Sequence, residues 1–292
     1  MLEKYKTFAD NHFRQEMQQS KEKFNQRIYE MYLSCSLLDA GHKLIKKDSS
    51  KEPDICMNNE NDKIWIEAVC PTMGEVGNHN SVPKIVYEKH KDLDATQMLC
   101  ESNVTPSNEI DRQIKLRYTS AIYDKYKQVT RYISNSTITN DSSVVIAVNS
   151  ANIEHEPIDE DIPIMIKLCY GLGCLQHIDK YNVRTGKYEA HGDSYTCEFV
   201  VPKLLQQGQQ EIIAGIFLRD IYPYISAILF SYFRLGYNSD GSKFYLAHNP
   251  FAKKPLLKGV FNLPLTEFWL ENIRHNDSLN EILRAHLKVR HR

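Results

Sequence analysis

The amino-acid sequence predicts an α/β fold, a mixed central β-sheet flanked by helices, built as one elaborated domain over residues 1–292. Three observations predict it. A helical apolar repeat occupies the segment from Phe24 onward. A polar turn near Asn59 to Asn61 separates two short strand-like runs, PDICM and KIWIEAV, as in a β-hairpin. A long amphipathic segment, Ile110 to Ile133, then leads to the apolar run Val144–Val148 bounded by Ser and Asn, the helix-to-buried-strand crossover of a sheet that contains parallel strands.

The first helix is expected from Phe24 to Leu44 with its end at Gly41, since Leu33, Leu37 and Ala40 recur on one face. Glu30 falls about 60° from Leu33 at the helical advance per residue, within the apolar face. An ionised carboxylate there is paired, hydrogen-bonded or metal-linked, unless its stem merely runs along the edge of the stripe. In the hairpin, a turn centred between Glu60 and Asn61 sets Asp54 directly across from Glu67. Like charges opposed in a sheet, with Cβ atoms about 4.5–5.5 Å apart, are destabilising. A divalent cation with oxygen ligands or a shared proton relieves the repulsion, and exposure to solvent is the alternative.

Residues 74–108 form a polar excursion containing His79, His90 and Pro106, read either as a substrate-contacting lid or as a surface loop. On the following helix Ile122, Tyr126, Val129 and Ile133 make the core stripe, with Tyr118, Ala121, Lys125, Gln128 and Tyr132 on its flank. Lys127 points to solvent. A helix or loop is expected from about 162 to 175, with Gly171-Leu-Gly173 as a turn. A hairpin follows between Asp179 and Val201, then strands at Tyr224–Phe230 and Lys243–Asn249. A final helix is expected from Thr266 to Leu287, packing Phe268, Trp269 and Ile273.

Glu30 on a first helix running into LLDAGH, Pro53-Asp54 opening a strand and IWIEAV carrying Glu67 in the next resemble the PD-(D/E)xK nuclease superfamily, the restriction-endonuclease-like fold. The resemblance covers Glu30 to about Ser150. It implies a nuclease-like core over about residues 24–150, with additional strands and a C-terminal helix over 151–292. It also implies hydrolysis of phosphodiester bonds in nucleic acid, DNA first, with Mg²⁺ or Mn²⁺ as cofactor and Asp54, Glu67 and Glu30 around the metal. The family's usual lysine stands two residues after the strand acid, where this chain has Val69. Members in which that lysine has moved to the following helix make Lys125 its counterpart here, with Gln128 as the fallback. Gln128 and Tyr132 are similar to the Gln-x-x-x-Tyr helix of recombination-type nucleases. If Val69 is a true loss, the resemblance implies instead a silent fold that binds nucleic acid or a protein partner, in a regulatory or effector role.

Composition bounds the partners. The chain has 292 residues, 42% hydrophobic, with a formal net charge of −1, so no global basic field gathers nucleic acid. Binding has to use local patches, and Lys115, Arg117 and Arg131 on the long helix are the expected phosphate contacts, with Lys253, Lys254 and Lys258 in a late loop. Seven scattered cysteines and a charged, non-apolar N-terminus fit reduced thiols and a cytoplasmic location, with secretion as an effector the alternative. By analogy, the family resemblance adds a homodimer as one assembly open to the chain. The apolar run Ile212–Leu235 is interrupted by Arg219, Asp220, Pro223 and Arg234, and reads as a helix end, a connection and a buried strand rather than a membrane span.

Overall fold

In the computed structural model the described residues are 1–47, 52–59, 62–84, 107–154, 162–182, 184, 187–236, 243–271 and 287–291. They build a mixed eight-stranded sheet in the order β1 (Lys43–Ile45), β2 (Ile55–Asn59), β3 (Asp62–Val69), β4 (Ser143–Asn149), β9 (Ala227–Ser231), β10 (Phe244–His248), β11 (Leu265–Leu270) and β12 (Leu287–His291). β1, β2 and β3 are antiparallel neighbours, and β3, β4 and β9 run parallel. The far half alternates: β10 is antiparallel to β9, parallel to β11, and β12 returns antiparallel. Two smaller hairpins stand apart from this sheet, β5 (Leu172–Asn182) with β6 (Lys187–Cys197) and β7 (Val200–Leu204) with β8 (Gln209–Ile213).

Helices cover both faces, as a sheet buried on two sides requires. On one face lies α3 (Lys21–Asp39), joined by the short α1 (Leu2–Tyr5) and α2 (Phe13–Met17), and its Ile28, Leu33 and Leu37 pack on Ile55, Ile64, Ile66 and Ala68. On the other lie α4 (Ser107–Ser134) and α5 (Ile164–Tyr170), whose Ile114, Tyr118, Ile122 and Ile166 pack on Ile146, Val148 and Ile228. β4 is buried at every position, which is why its sequence shows an apolar run in place of alternation.

Local chemistry sets the helix ends. The Ser20 side chain accepts the Lys23 N–H and starts α3. Gly41, at φ 89°, stops it, with the Gly41 and His42 N–H groups donating back to Leu38 and Leu37. Leu44 therefore belongs to β1, an edge strand, and not to the first helix. Gly171, at φ 65°, ends α5 in the same way and turns the chain into β5.

Two further sequence expectations need correction. Thr266 does not open a helix: Leu265–Leu270 is strand β11 and Leu287 begins strand β12. Leu265 joins the α3-side core while Phe268 joins the α4-side core, an alternation of period two. Ile273 lies outside the described residues. The stretch from Ile212 contains no helix end, since Ile212 and Ile213 finish β8 and turns lead to β9. His90 and Pro106 of the polar excursion also lie outside the described residues. No described helix is long and apolar enough to cross a membrane.

Candidate active site

β2 and β3 pair Ile55 with Ile66 and Cys56 with Trp65, so Asp54 and Glu67 continue the register as the next opposed pair. Cys56 and Trp65 pack under Val129 and Tyr132 of α4. Side chains alternate across a strand, so Asp54 and Glu67 lie on that same α4-covered face. α4 supplies the cation: Lys125 Nζ donates to Glu67 Oε1 at 2.7 Å, while Glu67 is only 1% exposed. The helix angle that separates Lys125 from its neighbour Lys127 explains the choice, since Lys127 instead pairs with Asp124 at the surface.

Among the described residues Glu67 Oε2, which is buried, meets no hydrogen-bond partner. Burial and the charge of Asp54 raise the Glu67 carboxyl to about 7 against the opposing pull of Lys125. Lys125 is itself driven down by burial, but Glu67 and Asp54 more than reverse this and hold it above the ordinary lysine value. Asp54 Oδ2 accepts the Ala68 N–H at 2.9 Å, and Oδ1 accepts from Lys47 Nζ at 3.3 Å. Each member of the acid pair therefore carries a lysine.

Glu30 comes from the opposite face. Its Oε2 accepts from Arg27 at 2.7 Å and its Oε1 from Gln26 at 2.8 Å. Arg27 also binds Asp10 and Glu16, so one guanidinium gathers three carboxylates. Burial, and then the charge of Asp54, push Glu30 up to about 7. Among the described residues no three His, Cys, Asp or Glu side chains converge as a ready-made metal cage. The oxygen donors nearest this place are the carboxylates of Asp54 and Glu67 and a main-chain carbonyl of β3, while Glu30 reaches the strand from the other face through Gln26. On β3, alternation turns the Ala68 carbonyl, whose N–H meets Asp54, toward the β2 side, whereas that of Val69 faces β4.

This donor set fits a hard divalent cation. Mg²⁺ uses one or two carboxylates with several waters, and the unpartnered Glu67 oxygen is a buried acceptor of the kind a cation or water satisfies.

Gln128 does not reach the acids. It donates to the Tyr132 hydroxyl, which in turn lies 3.5 Å from the Glu52 carbonyl. Val69 packs against the α4-side core, so no cation stands at that position.

The three expected phosphate contacts on α4 lie in different surroundings. Lys115 is 6% exposed and bonded to Glu198 at 2.5 Å. Arg117 donates to the Thr72 carbonyl at 2.8 Å and also to its hydroxyl. Both hold the polypeptide around β6, β7 and the end of β3, because α4 is covered on that side. Arg131 is exposed. In the late loop, Lys253 rests over Tyr224, Lys254 pairs with Asp62, and Lys258 rests over Trp269.

Gln26, Arg27 and Lys47 are site residues the sequence did not announce. Gln26 and Arg27 lie one turn before Glu30 on a polar helix flank, and Lys47 follows an edge strand that was itself missed. The only available signal was the need of Glu30 for a neighbour at i−4 or i−3. No protein-family model matches this chain, and comparison with curated proteins and with solved structures finds no match either.

Proposed function

We propose that this chain is a divalent-metal-dependent nuclease of the PD-(D/E)xK type whose motif lysine has moved from the strand to α4. The observation that carries the proposal is the 2.7 Å contact of Lys125 with Glu67, directly beside Asp54 and a Glu67 oxygen that has no partner. The order of parts supports it as well: Glu30 on a helix, Asp54 opening a strand, Glu67 on the next, and the lysine on the helix after that.

In this function Asp54, Glu67 and the Ala68 carbonyl hold Mg²⁺ or Mn²⁺. When bound, the cation lowers the pKa of water and stabilises charge on the phosphoryl oxygens. Lys125, freed in part from Glu67, orients the attacking water and offsets charge growing at phosphorus. Water adds to phosphorus, the P–O bond to the leaving oxygen breaks, and that oxygen takes up a proton. Glu30, held by Arg27 and Gln26, completes the outer hydrogen-bonding layer.

A second reading rests on a specific observation. Lys47 and Lys125 already neutralise Asp54 and Glu67, so the pair stands without a metal, and a silent fold that binds nucleic acid or a protein would keep it.

The test is plasmid and single-strand cleavage in Mn²⁺ with wild type, Asp54→Ala and Lys125→Ala. Metal-dependent cutting that is lost in both variants is the expected result. Cutting retained in Lys125→Ala removes the migrated lysine from the mechanism. Metal binding by wild type with no cutting selects the silent fold.

A further inference from the structure

β3 outlasts its antiparallel partner. The β2–β3 ladder stops at Ile55–Ile66, yet the backbone groups of Ala68 and Cys70 on that edge are not left bare. Asp54 Oδ2 takes the Ala68 N–H. The carboxamide of Gln26 does the rest: Nε2 donates to the Ala68 carbonyl at 3.1 Å, and Oε1 accepts the Cys70 N–H at 2.7 Å. Nε2 also donates to Glu30 Oε1 at 2.8 Å. One amide from α3 thus continues the ladder where strand backbone has run out, and ties it to a glutamate.

We propose that Gln26 is the positioning residue of the metal site: it fixes the Ala68 carbonyl, and with it the Glu30 carboxylate, in the arrangement that Asp54 and Glu67 need to share a cation. The inference rests on the metal-site reading above and extends it to a residue on the other side of the sheet. A carboxamide is suited to the place because it offers a donor and an acceptor in one plane, matching a strand's carbonyl and N–H. A carboxylate would offer no donor to Ala68 or Glu30, and an apolar side chain would leave buried backbone groups unpaired. Outer-layer partners of metal ligands commonly change metal affinity by about 10–100-fold when removed.

The decisive experiment is calorimetric titration of the full chain with Mn²⁺ for wild type, Gln26→Met and Glu67→Gln, with amide hydrogen exchange at Cys70 measured without metal. Gln26→Met keeps side-chain length and removes every hydrogen bond; Gln26→Asn, one methylene shorter, is the gentler variant if the first does not fold. The expected result is at least about tenfold weaker Mn²⁺ binding in the folded Gln26 variant, faster exchange at Cys70, and no binding in Glu67→Gln. Faster exchange with unchanged Mn²⁺ affinity reduces Gln26 to a structural bond and overturns the positioning role alone. Absent Mn²⁺ binding by wild type overturns the metal site and the positioning role together.

Discussion

Glu67 and Glu267 are both glutamates buried in one sheet, on β3 and β11, and their surroundings differ in kind. Glu267 is satisfied: the Gly259 N–H reaches both of its oxygens at 2.8 and 3.2 Å, Arg290 donates to Oε2, and His248 lies beside it. Against the cost of burial, the nearby His248 imidazole and the hydrogen bond from Arg290 hold its carboxyl below the ordinary glutamate value. Glu67 has one lysine, an acidic neighbour and an oxygen without a partner, and is pushed up. A charge that the fold exists to keep is surrounded by donors. A charge left short of donors and facing a second carboxylate is the place where the proposed metal would make the largest difference.

Metal separates the two glutamates most sharply. Saturating Mn²⁺, at about 100 times its dissociation constant, is expected to stabilise the protein by about 2.7 kcal/mol. Glu67→Gln abolishes that gain and Glu267→Gln leaves it intact, as thermal melts with and without Mn²⁺ will show. A gain that survives Glu67→Gln breaks the comparison.

In metal-free protein the order reverses. Glu267→Gln strands Arg290 and weakens the bonds to Gly259, at an expected cost of about 1–3 kcal/mol in denaturant unfolding. Glu67→Gln is expected to cost less, because Asp54 remains beside Lys125 to compensate its charge and removing a poorly solvated carboxylate offsets the lost contact. Equal costs at the two sites would mean that Glu67 is as well satisfied as Glu267.

Acidity distinguishes them by sign. With Glu30 and Glu67 raised from 4.5 to about 7, the folded chain binds more protons than the unfolded one across that window. Their contribution to stability is complete below about 4.5 and is lost as pH rises toward 7. For Glu267, held low, the contribution is present above 4.5 and is lost as pH falls through its folded value. Melting temperature against pH should therefore lose its downward slope between pH 4.5 and 7 in a Glu30→Gln, Glu67→Gln double variant, and Glu267→Gln should flatten only the acid limb. Mn²⁺ binding near pH 6 should also release protons, measurable as a buffer-dependent heat. The smallest effect is expected at Arg131, where replacement by Ala should stay within about 0.5 kcal/mol of wild type. A larger change there would reveal a contact that exposure conceals.

The hairpin register was legible because the turn residues and the two-residue alternation both fix it, and either one alone would leave a slip of one position. Lys125 was legible because a helix long enough to define its core stripe also defines its flank. Leu265–Leu270 was not, since six residues with a glutamate and two aromatics fit either period, and the burial of Glu267 depends on Gly259, Arg290 and His248, all distant in sequence or unremarkable in it. The ion pair of Lys115 with Glu198 and the bonds of Arg117 to Thr72 were not legible for a related reason: a helical projection gives direction, but not whether another segment covers that direction. Gln26 was invisible because its partners are backbone atoms, which every sequence possesses.

The β2–β3 register also sets a parity rule for length. One residue added within β3 between Ile64 and Glu67 turns Glu67 from the α4 face to the α3 face and leaves Lys125 opposite an apolar strand. Two added residues restore the face but move the carboxylate about 7 Å along the sheet, past the reach of Asp54. Residues added after Asn59 that keep the Asn59–Asp62 pairing disturb neither. Changes in chain length that this site tolerates are therefore expected in the turn, whatever the number of residues, while the strand segment between Trp65 and Glu67 keeps its count.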